Sequence, residues 1–371
     1  LTKFGRHEGF DTLDLMADAA EIALDDAAVE RHQIDGVITG YSTAMPHLML
    51  ATLFCEHFGL SPEYANGLQL GGATGAGMVM LARLLVQSGQ CRSVLVVAAE
   101  NRLTHEGGRE SAIKTLAQVG HVDYEVPFGA TIPSYYALLA SQYLARYGAN
   151  EQDLAEIAVH MRRQAAHMPG AHLAAPLSVQ DVMATRPIAT PLKLADCCPI
   201  SDGGAAFVVS AAPGPHRPVR LSGAGQAHQH QHISSVRNFS DFGAAAATER
   251  ALTQAGLSRD RIGVLGIYDS FTVTLAILLE ETGFAPVGGT AEQIRQGHHA
   301  IEGGVPLNTH GGLLSYGHPG VAGGMGHIAE VTRQLQGRAT GRQMATSADH
   351  GYVHADGGIL SAHVGLVLSG E

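Results

Sequence analysis

Pro306-Leu-Asn-Thr-His-Gly-Gly-Leu-Leu-Ser-Tyr-Gly-His-Pro-Gly320 runs, through Val-Ala-Gly-Gly-Met-Gly326, into a helix-patterned segment from His327 to Leu335. Three groups able to hold or move protons, His310, Tyr316 and His318, fall within nine positions of this loop. Glycine lets backbone approach a ligand closely and take conformations barred to other residues. A helix that starts just beyond such a loop offers unpaired N–H groups to developing negative charge. A tight turn whose histidine merely caps a helix has the same pattern, so the rest of the chain has to decide between them.

Working outward, 371 residues suffice for two domains of ordinary size. A chain that is 45% hydrophobic and 15% charged is a well-buried globular protein rather than a disordered or coiled-coil one. The net charge of −11, with no basic cluster, argues against a nucleic-acid surface. No apolar run reaches membrane-spanning length and no secretory leader is visible. The chain begins Leu-Thr-Lys without a Met, so a short native segment is expected ahead of it. Cys55, Cys91, Cys197 and Cys198 lack metal-ligand spacing, and the adjacent pair bridges poorly; free thiols in a reducing cytosol are the economical reading.

A helix–strand pattern occurs twice. Residues 12–29 carry apolar positions at helical spacing and Ile34–Tyr41 reads as a buried strand; Ala247–Leu257 and Ile262–Tyr268 repeat the pair. One constant offset of 228 residues carries Ala23-Leu24 and Ile34 onto Ala251-Leu252 and Ile262. Two α/β halves are therefore expected, 1–210 and 219–371, joined by the proline-rich 211–218. In the first half a helix is expected near Leu48–His57. A strand-to-helix turn follows at Leu68–Gly77, then a buried strand at Cys91–Ala99 and helices at 134–147 and 151–165; Ser201–Ser210 closes the half as a turn and strand. The polar stretch Asn101–Pro127 is expected to be a loop capping the active face, within a wider loop region of about 101–200. The chain should end in two strands, Gln343–Ala348 and Ile359–Leu368, joined by His350–Gly358. His228-Gln-His-Gln-His232 invites a metal reading, but no acidic or cysteine partner lies beside it, so no metal site is assigned.

The opening loop resembles the Asn-x-x-Gly-Gly…Gly-His-Pro-x-Gly signature of the thiolase superfamily, matched by Asn308, Gly311, Gly312, Gly317, His318 and Pro319. Phe128-Gly129-Ala130 with Pro133, and Asp196 to Gly204, are most similar to sterol-carrier-type thiolases, and within them to a cysteine-less branch that includes steroid side-chain aldolases. The resemblance implies an α/β thiolase fold: duplicated βαβαβαββ halves in a five-layer αβαβα arrangement, with catalytic loops from both halves. It also implies a homodimer through the first-half strand region, where Val94–Val97 would lie. A separately encoded zinc-ribbon/OB-fold acyl-CoA-binding subunit would complete an α2β2 assembly.

The departures from the family pattern carry the functional reading. The cysteine that takes the acyl group in that family corresponds to Gly72, in Gly72-Ala-Thr-Gly75. Covalent catalysis requires an activated thiolate with a base in reach, and here that requirement is unmet. Tyr268 stands in Tyr268-Asp-Ser-Phe271 where the family has an amide or imidazole, and His354 falls where it has a second cysteine. Retro-aldol cleavage of a β-hydroxyacyl-CoA needs no nucleophile. It needs a base for the hydroxyl, an oxyanion site for the thioester enolate and an acid for the α-carbon. Tyr268, Tyr316, His318 and His354 are the candidate catalytic groups, with Tyr268 the principal proton carrier and His318 the enolate stabiliser. Gly72, Asn308, His310 and Gly357 are the candidate substrate and oxyanion residues.

Each assignment has a plain structural counterpart: Tyr268 as a satisfied core tyrosine, Tyr316 as a pocket wall, His354 as a turn anchor, Asp269 as a helix cap. No cofactor is implied beyond coenzyme A thioester as substrate. Two other readings remain open, an acyltransferase-type condensing enzyme and a non-catalytic acyl-CoA- or lipid-binding subunit.

Overall fold

The computed structural model describes residues 1–371. In the first half the elements run α1 (Thr12–Ala27), β1 (Gly36–Gly40), α2 (Leu50–Phe58), β2 (Tyr64–Leu68), α3 (Thr74–Gln87) and β3 (Ser93–Asn101). An insertion follows, made of α4 (Gly108–Ala117), α5 (Ile132–Tyr147), α6 (Glu151–Ala165), α7 (Val179–Ala184) and the short hairpin β4 (Pro187–Ala189) and β5 (Leu192–Lys193); β6 (Asp202–Ser210) closes the half. The second half runs β7 (Val219–His228), α8 (Ala244–Ala255), β8 (Val264–Ile267), α9 (Thr272–Glu281), α10 (Thr290–Arg295), α11 (Gly312–Ser315), α12 (Gly320–Leu335), β9 (His350–Gly357) and β10 (Ala362–Gly370).

Two mixed sheets result, ordered β2-β1-β3-β6 and β7-β10-β9-β8. β1 is parallel to β2 and β3 while β6 is antiparallel to β3; likewise β8 is parallel to β9 while β10 is antiparallel to β9. The duplication is visible in the pairing: α1–β1 and α8–β8 are the units that the 228-residue offset relates. α1 packs on the outer face of the first sheet and α8 on that of the second, while α3 and α12 touch both sheets between them. The order of layers is αβαβα, as the family resemblance implies.

Of the central layer, α12 has almost no solvent face, and its sequence reflects that. α12 is buried from Gly320 through Val331, and Gly323, Gly324 and Gly326 allow its neighbours to come close. A Cβ at Gly323 would stand 2.9 Å from the His318 ring, and one at Gly75 on α3 would stand 2.5 Å from Met325. Small residues thus set the spacing between the two central helices and the loops they carry.

Three expectations are corrected. Residues 101–127 are not all loop: α4 and a single 3-10 turn at Val126–Phe128 lie within or across them. The chain's last strands are β9, over His350–Gly357, and β10; Gln343–Ala348 forms no strand. Glycine and polar side chains made His350–Gly358 look like a connector. In the folded chain His350, His354 and Asp356 each find a side-chain partner, which makes a polar strand tolerable in the interior. Finally, Val94–Val97 lies at the middle of its sheet, flanked by β1 and β6 and wholly buried, so it has no free edge for a partner. The sheet's edges are β2, where Ala65, Asn66 and Gly67 are exposed, and β6, whose start is bridged by Gly5.

Candidate active site

The turns ahead of α3 and behind β9 meet backbone to backbone. A Cβ at Gly71 would stand 2.7 Å from Gly358 N, and one at Gly357 would overlap the Leu70 carbonyl oxygen. Gly71 also holds φ 59°, where a side chain is strained. Thr74 braces the first turn: its hydroxyl donates to Gly71 O (2.6 Å) and accepts from Leu70 N (2.8 Å).

Gly72 faces Tyr268. A Cβ built there would lie under 3.0 Å from the Tyr268 hydroxyl, from Tyr268 Cζ and from the Asp356 carbonyl oxygen. The phenol therefore fills the space into which any side chain at this turn would extend. Tyr268 leaves β8 through a hydrogen bond from its N–H to His354 O (3.0 Å), and its hydroxyl lies 3.2 Å from His318 Nε2. Burial, with the Asp356 charge next, pushes Tyr268 well above the ordinary phenol range, so it rests as a neutral hydroxyl. Burial, with help from the Arg102 cation, holds His318 down to about 3, so its imidazole is neutral. His318 Nδ1 has no hydrogen-bond partner.

The loop carrying His318 is held by its neighbours. Ser201 Oγ accepts from His318 N (3.1 Å), and Ile200 pairs with His318 as an isolated bridge. Asp269 accepts from Leu313 N (2.7 Å) and Leu314 N (3.3 Å), capping the short helix α11, and stands 3.3 Å from His327 Nε2. Gly312 is required there, since a Cβ would overlap that carboxylate. Arg102, buried and paired with Glu100 (2.9 Å), lies against Gly320 at the start of α12. Glu100 also accepts from Thr43 N (2.7 Å) and Ala44 N (3.1 Å), so this ion pair ties the end of β3 to the loop after β1.

Of the sequence-predicted residues, Tyr268, His318, Gly72 and Gly357 come together here. The others are engaged elsewhere. Tyr316 packs against Phe4 with tilted rings, centroids 4.5 Å apart, and donates its hydroxyl to Thr2 O (3.2 Å). His354 is fully buried in β9, with Nδ1 2.8 Å from the Tyr352 hydroxyl and Nε2 3.1 Å from His363 Nδ1. Asn308 uses both ends of its amide on Ile267, accepting from N (2.8 Å) and donating to O (2.7 Å), and so fixes the end of β8. His310 packs edge-on to His327 and Tyr316, with Nδ1 unpartnered.

Two residues that sequence reasoning left aside also belong to this neighbourhood. Cys198 N donates to Ser270 O (3.0 Å), and the thiol lies within electrostatic range of Tyr268. Burial pushes Cys198 well above the usual thiol range and Cys197 up to about 12, so both are protonated and unactivated. Asp356 is 1% exposed; its Oδ2 accepts from the Tyr136 hydroxyl (3.1 Å) and its Oδ1 has no partner. The only sequence signal for it was a lone acid beside two glycines. The His228–His232 tract disperses: His228 meets Gln226, His230 Nε2 meets Ile359 O (3.0 Å), and His232 packs edge-on to His121.

Residues 225–370 match the family described as "Thiolase C-terminal domain-like". The chain is 31% identical to the 17-hydroxy-3-oxo-4-pregnene-20-carboxyl-CoA lyase of Mycobacterium tuberculosis, over 99% of this chain and 96% of that one. It is also 28% identical to an acetyl-CoA acetyltransferase of Methanothermobacter thermautotrophicus, over 98% and 96% of the two chains. Among solved structures, an Ltp2-ChsH2(DUF35) aldolase superposes with TM-score 0.84 at 28% identity, covering 100% of this chain and 95% of that one.

Proposed function

The chain belongs to the thiolase superfamily, with sterol-carrier-type relatives, and on that premise we propose that it is an acyl-CoA carbon–carbon lyase performing retro-aldol cleavage without an acyl-cysteine. One observation carries the reading. The turn that would hold a nucleophile has no side chain, and its space is filled by a phenol hydrogen-bonded to His318. Such a site moves protons and stabilises an enolate.

Neutral His318 and neutral Tyr268 share one hydrogen bond, in which one group accepts, so the pair keeps one free N–H or O–H to donate. Aimed at a thioester oxygen, a donor of this kind is typically worth about 3–4 kcal/mol as charge develops. Tyr268, resting as a phenol, is suited to protonate the α-carbon once the Cα–Cβ bond has broken. Gly72 and Gly357 let the thioester approach the backbone. The substrate class is a β-hydroxyacyl-CoA, and the lyase relative supports one whose β-carbon belongs to a steroid-like ring. For assembly we favour a homodimer joined by a separate acyl-CoA-binding subunit, an arrangement supported by the two components named in the structural relative. No helix is long and apolar enough to cross a membrane.

Cys198 beside Tyr268 favours one competing reading, acyl transfer through that thiol, as in a condensing enzyme. A single incubation separates the two. With 17-hydroxy-3-oxo-4-pregnene-20-carboxyl-CoA, a lyase releases a ketone and a shortened acyl-CoA while the protein's intact mass stays constant. A thioester-sized mass gain on Cys198 would defeat the lyase reading. Saturable binding with neither result would identify a non-catalytic acyl-CoA carrier.

A further inference from the structure

Retro-aldol cleavage requires a base at the β-hydroxyl, and none of Tyr268, Tyr316, His318 and His354 is placed or poised to be it. Tyr316 and His354 are bonded away from the site, His318 holds a proton weakly, and Tyr268 rests as a phenol that gives a proton up rather than taking one. We infer that Asp356 is this base, with its unpaired Oδ1 receiving the substrate hydroxyl proton. The inference rests on the lyase reading above.

Three observations place it. The Asp356 main chain touches the site directly, because its carbonyl oxygen and the Tyr268 hydroxyl crowd the same point beyond Gly72. Its side chain is oriented by Tyr136, whose hydroxyl donates to Oδ2 (3.1 Å) and to Gly358 O (3.3 Å) and whose ring stacks on Phe271 at 4.4 Å. Its other oxygen is buried without a partner, an arrangement that is costly unless a ligand supplies the missing hydrogen bond.

The electrostatics agree. Burial, reinforced by the Glu281 charge, raises the proton affinity of Asp356, against pulls from Tyr136 and the Gly357 and Leu360 amides. A carboxylate raised in this way is a stronger base than one in water. The Asp356 charge is felt at Tyr268 and helps to keep the phenol protonated, so of the two groups the carboxyl gives up its proton first.

The step then balances. Asp356 takes the β-hydroxyl proton, the O–H electrons form the carbonyl, and the Cα–Cβ pair passes into the thioester enolate held by His318. Tyr268 gives its proton to Cα and becomes phenolate. Return of the proton from Asp356 to Tyr268 restores the resting state, with nothing gained or lost.

The test uses full-length protein, with its partner subunit if one copurifies, and 17-hydroxy-3-oxo-4-pregnene-20-carboxyl-CoA. Asp356→Asn preserves the shape and the Tyr136 hydrogen bond but removes the basic oxygen. Its kcat should fall about 100-fold or more with an unchanged melting temperature. The acid limb of the wild-type kcat/KM–pH profile should vanish in this variant and persist in Tyr268→Phe. Formate should restore activity to Asp356→Ala at least tenfold, in proportion to its concentration, which a purely structural role would not produce. Asp356→Asn activity within about threefold of wild type, or no formate rescue, overturns the assignment while leaving the lyase reading intact. Failure of wild type to release a carbonyl product removes both.

Discussion

Two tyrosine–histidine pairs flank the second sheet, one just beyond the end of β8 and one within β9. Tyr268 and His318, 3.2 Å apart, have loose ends: His318 Nδ1 has no partner, His318 is partly exposed, and glycine surrounds both. Tyr352 and His354, 2.8 Å apart, have none, because the chain runs from Thr248 through Tyr352, His354 and His363 to Leu360 O with every ring nitrogen engaged. The residue types are the same. Unsatisfied hydrogen-bonding capacity next to a glycine-lined approach is what separates a pair that can act on a substrate from one that holds a strand in place.

Substitution at the tyrosines should break this symmetry most sharply. Tyr268→Phe is expected to lower carbonyl release by about 10²–10⁴-fold with little change in melting. Tyr352→Phe should do the reverse, leaving turnover within a few-fold but lowering urea stability by about 1–3 kcal/mol as buried Thr248 and His354 lose a partner. Matching losses of turnover in the two variants would erase the distinction. His318→Ala is expected to cost about 10²–10³-fold in kcat, measured on the same thioester.

Gly72→Cys sharpens the comparison from the steric side. Its side chain meets the Tyr268 hydroxyl, so the variant should be destabilised by about 1–3 kcal/mol and should gain no acyl group from acyl-CoA by intact mass. Removing the phenol in Gly72→Cys with Tyr268→Ala relieves the overlap with the ring but not that with the Asp356 carbonyl, so only partial recovery is expected. A single variant that melts like wild type would show the space is not filled as described.

The smallest effect concerns pH. Burial holds His363, at the end of the closed chain, and His299 each down to about 4. In the unfolded chain such imidazoles protonate near pH ~6.5, so the unfolded state binds protons first as pH falls. Stability is full above about 6.5 and declines as pH drops toward 4. Urea midpoints at pH 7, 6 and 5 should fall in that order, and the slope should be shallower in His363→Gln. A flat series would show that these rings charge without unfolding the protein.

Much of this architecture was legible in the chain. The 228-residue offset announced two α/β halves because helix–strand units keep their spacing when duplicated. The Gly-His-Pro loop pointed to His318 because glycines at fixed steps report a backbone that must bend sharply. Contacts made across the molecule were not legible. Nothing local to Gly72 says that Tyr268, from the other half, occupies its side-chain space. Asp356 was hidden because its partner Tyr136 lies on α5, in the insertion of the other half. The resemblance put Val94–Val97 in the dimer's strand region, but that β3 is central and β2 an edge depends on strand order, which no local pattern reports.

The meeting of Gly71-Gly72 with Gly357-Gly358 has a consequence for how the protein fails. Each turn belongs to a different half, so the reactive geometry is a property of the seam between them. Mild denaturant that loosens the seam should silence the enzyme while circular dichroism still reports intact helices and sheets in both halves.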